Sequence, residues 1–193
     1  MSPAATMRRD ESESAVLAAA DTLFYARGIA GVGMAEVRDA SGVSLRRLYA
    51  LYPSKRDLVA AWLDDRHLRW MQWFTSSVAR LTTTGTEPLL ATFDAIAEWV
   101  HSPGYRGCAF LNAIAETTEI DDAHRAIVAG HKRDLIEHLA TLATTAHPDA
   151  PVWLPEAIGA LLDGAIVQTA VFGTDAPLLA ARQCAAQLLN GIS

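Results

Sequence analysis

Nearly every stretch of this 193-residue chain repeats its apolar residues at the three- and four-residue spacing of a helix. No Val-, Ile- or Thr-rich run alternates apolar and polar residues between turn signals. That pattern confines the chain to an all-α fold, and the breaks in it mark nine helices. The first starts at Ser12 or Ser14, either of which can cap free N–H groups, buries Val16, Ala20, Leu23 and Phe24, and stops at Gly28. Met1 to Glu13, polar and charged, is expected to be a frayed arm. A short second helix runs from Met34 to Ser41, and Gly42-Val43-Ser44 turns the chain into a third from Leu45 to Leu51. Pro53-Ser54-Lys55-Arg56-Asp57 opens a long fourth helix, with Ser54 and Asp57 spaced as a reciprocal capping box, and it reaches about Leu81. Thr86-Glu87-Pro88 starts a fifth that ends near His101, and a sixth covers Gly107 to Thr117. The seventh runs from Asp121 to Ala146, the eighth from Leu154 to Phe172 and the ninth from Asp175 to Leu189.

With 51% hydrophobic residues the chain can bury a substantial core. Its apolar runs fall short of the roughly 20 residues a spanning helix needs, and no secretory signal stands at the N-terminus, so no membrane partner is expected. Two distant cysteines, Cys108 and Cys184, suit a reducing compartment, and a cytoplasmic protein without metal or cofactor is expected. The net charge of -6 is unevenly spread. Up to Ala60 eight basic residues stand against seven acidic ones, and between Ala40 and Arg56 the charges are Arg46, Arg47, Lys55 and Arg56 with no acid among them.

Two short helices joined by a glycine-containing turn form a helix-turn-helix when the second can lie in a DNA major groove while the first braces it. Leu48 is expected to point inward with Val37, Ala40 and Val43, which leaves Ser44, Arg46, Arg47 and Tyr49 facing outward. Arginine can make a bidentate bond to guanine O6 and N7, while Tyr49, Tyr52 and Lys55 suit phosphates.

Gly42-Val43-Ser44, Leu48-Tyr49, Tyr52 and Ser54-Lys55-Arg56-Asp57-Leu58 resemble the signature of TetR-type repressors. Gly107 to Asn112 and Leu162 to Ala165 are similar to segments of some members. The resemblance implies a helix-turn-helix DNA-binding domain over residues 1–53 and a helical sensor and dimerisation domain over residues 54–193. It also implies a homodimer through the last two helices, a double-stranded DNA operator and a small-molecule effector. Three departures stand out. Val32 and Gly33 occupy the place of the threonines that usually open the second helix, Arg46 that of a common glycine, and Leu51 that of a common histidine.

The eighth helix carries Leu161, Leu162, Ala165, Ile166, Thr169 and Ala170, and the ninth Leu178, Leu179, Cys184, Leu188 and Leu189. Apolar stripes this broad call for partners on more than one side, as a dimer provides. Trp70, Trp73, Phe93, Phe110 and Asn112 are the candidate effector contacts, with Phe74 and Trp99 nearby in sequence. His124, His131 and His138 fall at seven-residue intervals, too far apart along one helix face to share a metal. Cys108 reads as a small buried residue or a reactive thiol.

The expected function is a homodimeric repressor released from a pseudo-palindromic operator by a small, largely apolar ligand. The alternatives are an activator or ligand-independent regulator with the same fold, or an enzyme. The chain lacks a GxSxG elbow, a phosphate-binding glycine loop and an HExxH pair, so no catalytic residue is assigned.

Overall fold

The computed structural model describes residues 3–116 and 121–192, and among them the chain forms nine helices. They are α1 (Pro3–Arg27), α2 (Met34–Ser41), α3 (Leu45–Leu51), α4 (Lys55–Thr83), α5 (Pro88–Val100), α6 (Ala109–Ala115), α7 (Asp122–Ala146), α8 (Leu154–Phe172) and α9 (Ala176–Asn190). The expected all-α order holds, with two shifted starts. α1 begins at Pro3, because proline fits a first helical turn and the good helix formers after it outweigh the weak preference of Ser12 and Ser14 for caps. α6 begins at Ala109, since Gly107 takes a left-handed φ of 81° that a helix cannot include. The expected end of the sixth helix at Thr117 lies outside the described residues.

The helices fall into two compact units: Met1–Leu68 with Ala109–Val128, and Arg69–Cys108 with Ala129–Ser193. In the first, Val16, Ala20, Phe24, Val37, Leu48, Leu58, Trp62 and Leu63 are all buried. Trp62 sets its edge against Phe24 at 5.3 Å between ring centroids and donates its indole N–H to Asp21 Oδ1 at 2.7 Å. The same carboxylate receives Arg66 at 2.5 Å, and that guanidinium lies 4.0 Å over the Tyr25 ring. One aspartate thus fastens α4 to α1 through a neutral and a charged donor.

The second unit is held by α5, α8 and α9 packing on one another. Arg182 of α9 grips Asp94 of α5 through two bonds of 2.6 and 3.1 Å, and this pairing raises the arginine's pKa further. Lys132 of α7 pairs with Asp163 of α8 at 2.5 Å. Gly159 lets α8 approach α7 closely: a β-carbon there would stand 2.4 Å from Ile136 Cδ1. With 19 residues and a mean hydropathy of 1.2, α8 is long and apolar enough to cross a membrane, which corrects the expectation that every apolar stretch is too short. Only 44% of that stretch is buried. Its Leu154, Ile158, Leu162, Ala165 and Ile166 face the protein, while Val167, Val171 and Phe172 are exposed.

The second unit also holds an aromatic cluster. Trp70 stacks on Phe74 at 4.8 Å and meets Trp73, Trp99 and His131 at 6.1, 6.0 and 5.1 Å. His138 packs edge-on against Phe74 at 6.0 Å, and burial holds its imidazole below the ordinary range. As pH falls through the ordinary imidazole range the unfolded chain therefore takes up a proton at His138 before the folded chain does, and stability drops. His138→Phe is expected to flatten the fall in thermal midpoint below about pH 6.5. Melting curves of both proteins between about pH 5 and 8 check this, and parallel profiles would refute it.

Candidate nucleic-acid interface

The interface is built from the loop after α1 to the first turn of α4. Gly28 leaves α1 with a φ of 79°, and its N–H bonds back to Phe24 O at 2.9 Å. Ile29 and Val32 are buried, which anchors the loop. Arg27 donates to Gly31 O at 2.9 Å and pairs with Glu36 of α2. Glu36 also accepts the Gly33 N–H at 3.1 Å, supplying half of a capping box where no hydroxyl is present. Bonds from Arg27 and from the Gly33 N–H lower the Glu36 pKa.

A further tie comes from far along the chain. The Glu116 carboxylate accepts the Ala30 N–H at 2.7 Å and lies against Gly28, where a β-carbon would stand 2.9 Å from its oxygen. Glycine at position 28 thus provides both the left-handed turn and room for this carboxylate. At the start of α4 a second set of contacts reaches the α7 end: Arg56 pairs with Asp121 at 2.5 Å, and His124, 1% exposed, donates from Nε2 to Arg56 O at 3.0 Å. The His124 backbone N–H, bonding Asp121 at 3.1 Å, is the largest cause holding that carboxyl below its usual value.

α2 closes on Gly42, whose φ of 70° turns the chain while its N–H bonds Arg38 O at 3.0 Å. Ser44 then caps α3, its hydroxyl accepting the Arg47 N–H at 3.2 Å. Over seven residues α3 turns one side inward, where Leu48 is wholly buried. The other side presents Leu45, Arg46 and Tyr49, all exposed, with Arg47 half-buried at the margin. Ser54 and Asp57 exchange bonds of 3.0 and 3.2 Å at the head of α4, as their spacing requires, and Lys55 is half-buried beside them. Asp39, an acid close to this surface, is engaged by Arg38 at 2.5 Å.

Three expectations change. Tyr52 is 5% exposed, and burial with the nearby carboxylates of Glu13 and Asp65 pushes its phenol up to about 12. Its hydroxyl is buried within the first unit, so the expected phosphate bond from it does not fit this arrangement. Ala40 is exposed and Val43 only half-buried, because on the two-turn helix α2 the inward line is carried by Val37. Asn112, a candidate effector contact, is exposed on α6 in the first unit, where Phe110 is buried, and neither lies in the unit that holds Trp70, Trp73 and Phe93. Trp70 and Trp73 lie half-buried in the second unit, and Phe93 is fully buried there. Cys108 is buried and Cys184 exposed. Leu45 and Glu116 carry no local signal of their place here: the first is apolar and looks like core, and the second bonds a residue 86 positions away.

Comparison with known proteins agrees with this geometry. The model of bacterial regulatory proteins of the tetR family matches residues 16–62, the stretch from α1 into α4. The HTH-type transcriptional activator FasR of Mycolicibacterium smegmatis is 35% identical over 100 residues, which make up 51% of this chain. The chain thus spans less than half of that relative's length, 45%. The structure of a TetR-family transcriptional regulator from Streptomyces coelicolor superposes with a TM-score of 0.80 at 26% identity, covering 95% of this chain and 97% of the other. A TetR regulator from Chloroflexus aurantiacus shares the fold at a TM-score of 0.80 and 23% identity, covering 95% and 96% of the two chains. The helix-turn-helix and the order of the nine helices among the described residues are those of the all-α fold that these proteins share. Its N-terminal segment is similar to the tetR family model, and its fold is similar to that of TetR-family regulators.

Proposed function

We propose that this chain is a cytoplasmic, homodimeric transcriptional repressor that binds a pseudo-palindromic DNA operator through residues 1–53 and senses a small apolar effector through residues 54–193. The observation that carries this reading is the outward side of α3, where Arg46 and Tyr49 stand exposed on a capped helix with Arg47 at its edge and no acid between Ala40 and Arg56. Arg46 and Arg47 read base edges, Tyr49 and Lys55 hold phosphates, and Ser44 fixes the helix they stand on. In vitro selection from a randomised duplex library is expected to enrich an inverted repeat. Absence of any enriched duplex at low salt would overturn DNA binding.

Dimerisation is supported by the uncovered face of α8 and α9. Val171, Phe172 and Leu179 are 70, 65 and 64% exposed, beside a groove lined by Ala160, Gly164, Gln168, Ala180 and Cys184. Small residues there admit a close helix partner, and the opposite sides of both helices are already engaged within the second unit. Leu179→Arg with Val171→Arg is expected to convert a dimer into a monomer in light scattering after size exclusion, with helix content unchanged. A monomeric wild type would contradict the dimer.

The effector reading rests on the cluster of Trp70 and Trp73 with Trp99 of α5, in the unit that also buries Phe93. The Trp70 Nε1 and His138 Nε2 atoms are buried without a hydrogen-bond partner among the described residues, and a ligand with one polar edge would satisfy them. Such a ligand releases DNA only by binding the DNA-free conformation more tightly. One observation favours a second sign of control: the curated relative is named an activator. A reporter fused to the selected site, with and without the protein, separates repression from activation.

A further inference from the structure

Leu45 opens α3 with 45% of its surface exposed, and Tyr49, one turn later, is 46% exposed on the same side. Single exposed leucines are ordinary on protein surfaces, so exposure alone assigns nothing. The place is what distinguishes this one. Of the exposed large apolar side chains among the described residues, Leu45 and Tyr49 are the two that lie on the helix-turn-helix; Leu68 lies further along α4, Val152 and Trp153 before α8, and the rest on α8 and α9.

The N-terminal residues of a recognition helix are the ones that meet base edges, and Leu45 is the first residue of this one. Ser44 before it accepts the Arg47 N–H with its hydroxyl oxygen and so fixes the start of the helix. Leu45 follows with no hydrogen-bonding atom on its side chain, and Arg46 stands exposed next to it. In the major groove the apolar group that differs between base pairs is the C5-methyl of thymine, whereas guanine offers O6 and N7 to an arginine.

We propose that Leu45 determines specificity by packing on the C5-methyl of a thymine in each half-site, beside the base pair read by Arg46. The proposal rests on the DNA-reading role of α3 given above. It makes the preferred half-site one in which a thymine neighbours a guanine-containing pair, and it gives the arginine a water-excluding neighbour. Arg46 supplies a polar contact to one base pair, and Leu45 favours a thymine at the next by the few-fold that one methyl contact is worth.

The test uses the full chain and the duplex enriched by selection. Each thymine is replaced in turn by uracil, symmetrically in both half-sites, which removes one methyl and leaves the pairing edge intact. At one position the wild type is expected to lose about fourfold in affinity per half-site, the value of one buried methyl-sized group. Leu45→Ala should bind the thymine and uracil duplexes alike at that position. Leu45→Gln, a second variant with a polar tip, should lose the thymine preference when the selection is repeated. Because Leu45 is exposed, both variants are expected to keep the wild-type melting midpoint. The proposal is overturned if every uracil duplex binds the wild type within twofold, if the enriched half-site contains no thymine, or if Leu45→Ala keeps the wild-type response to uracil. Failure to enrich any duplex instead overturns DNA binding itself, so the two failures are distinct.

Discussion

Changing Arg46 and Arg47 together to alanine is expected to weaken binding to the selected duplex at least a hundredfold while leaving the fold intact. A bidentate arginine–guanine contact is worth about 1–3 kcal/mol of discrimination, and two such side chains act in each half-site. Arg46 is exposed and Arg47 half-buried on a helix whose hold on the protein comes from Leu48 and whose cap comes from Ser44. Neither support is touched by the double change, so the thermal midpoint should move by no more than a few degrees. Fluorescence anisotropy at fixed salt measures the loss. The same titrations across salt separate base reading from phosphate binding. Lys55→Ala should weaken all sequences about equally and flatten the salt dependence, whereas the double arginine change should relax sequence preference. A double variant that binds as tightly and as selectively as the wild type would remove α3 from the interface.

The largest loss of stability is expected from Trp62→Ala. Trp62 is 2% exposed, packs edge-on against Phe24 and gives Asp21 one of its two donors. Truncating a buried tryptophan typically costs about 3–5 kcal/mol through lost burial and the cavity left behind. For a chain of this size each kcal/mol shifts the melting midpoint by roughly 2–4 °C, so a fall of about 10 °C is expected by circular dichroism. Trp62→Phe keeps most of the ring and loses only the donor; because Arg66 still neutralises Asp21, its cost should be about 1–2 kcal/mol. DNA affinity should fall with Trp62→Ala at temperatures where the first unit melts. A midpoint within about 3 °C of the wild type would show that Trp62 does not hold α4 to α1.

The helix order was legible because its punctuation is local. Gly42 and Gly173 take left-handed φ values of 70° and 65°, and Pro88 and Ser54 open helices where their chemistry places them. The outward side of α3 was legible for the same reason, since one buried residue, Leu48, sets the register of a seven-residue helix. What escaped was tertiary. Tyr52 follows a polar turn and carries a hydroxyl, yet the first unit encloses it. Glu116 binds the Ala30 N–H across 86 residues, a contact with no periodicity to betray it. α8 carries apolar residues around most of its girth, and only packing divides its engaged face from the one carrying Val167, Val171 and Phe172. Leu45 was missed because an apolar residue in a short helix is read as core until its exposure is known.

The most direct test of a paired reading head is a hydroxyl-radical footprint of the wild-type protein on the selected duplex. The account predicts two protected patches related by a dyad, centred one helical turn or a multiple of it apart, about 10 base pairs per turn. Both patches should vanish together in the Arg46→Ala, Arg47→Ala variant. A single unpaired patch, or none at concentrations that saturate the anisotropy signal, would contradict it.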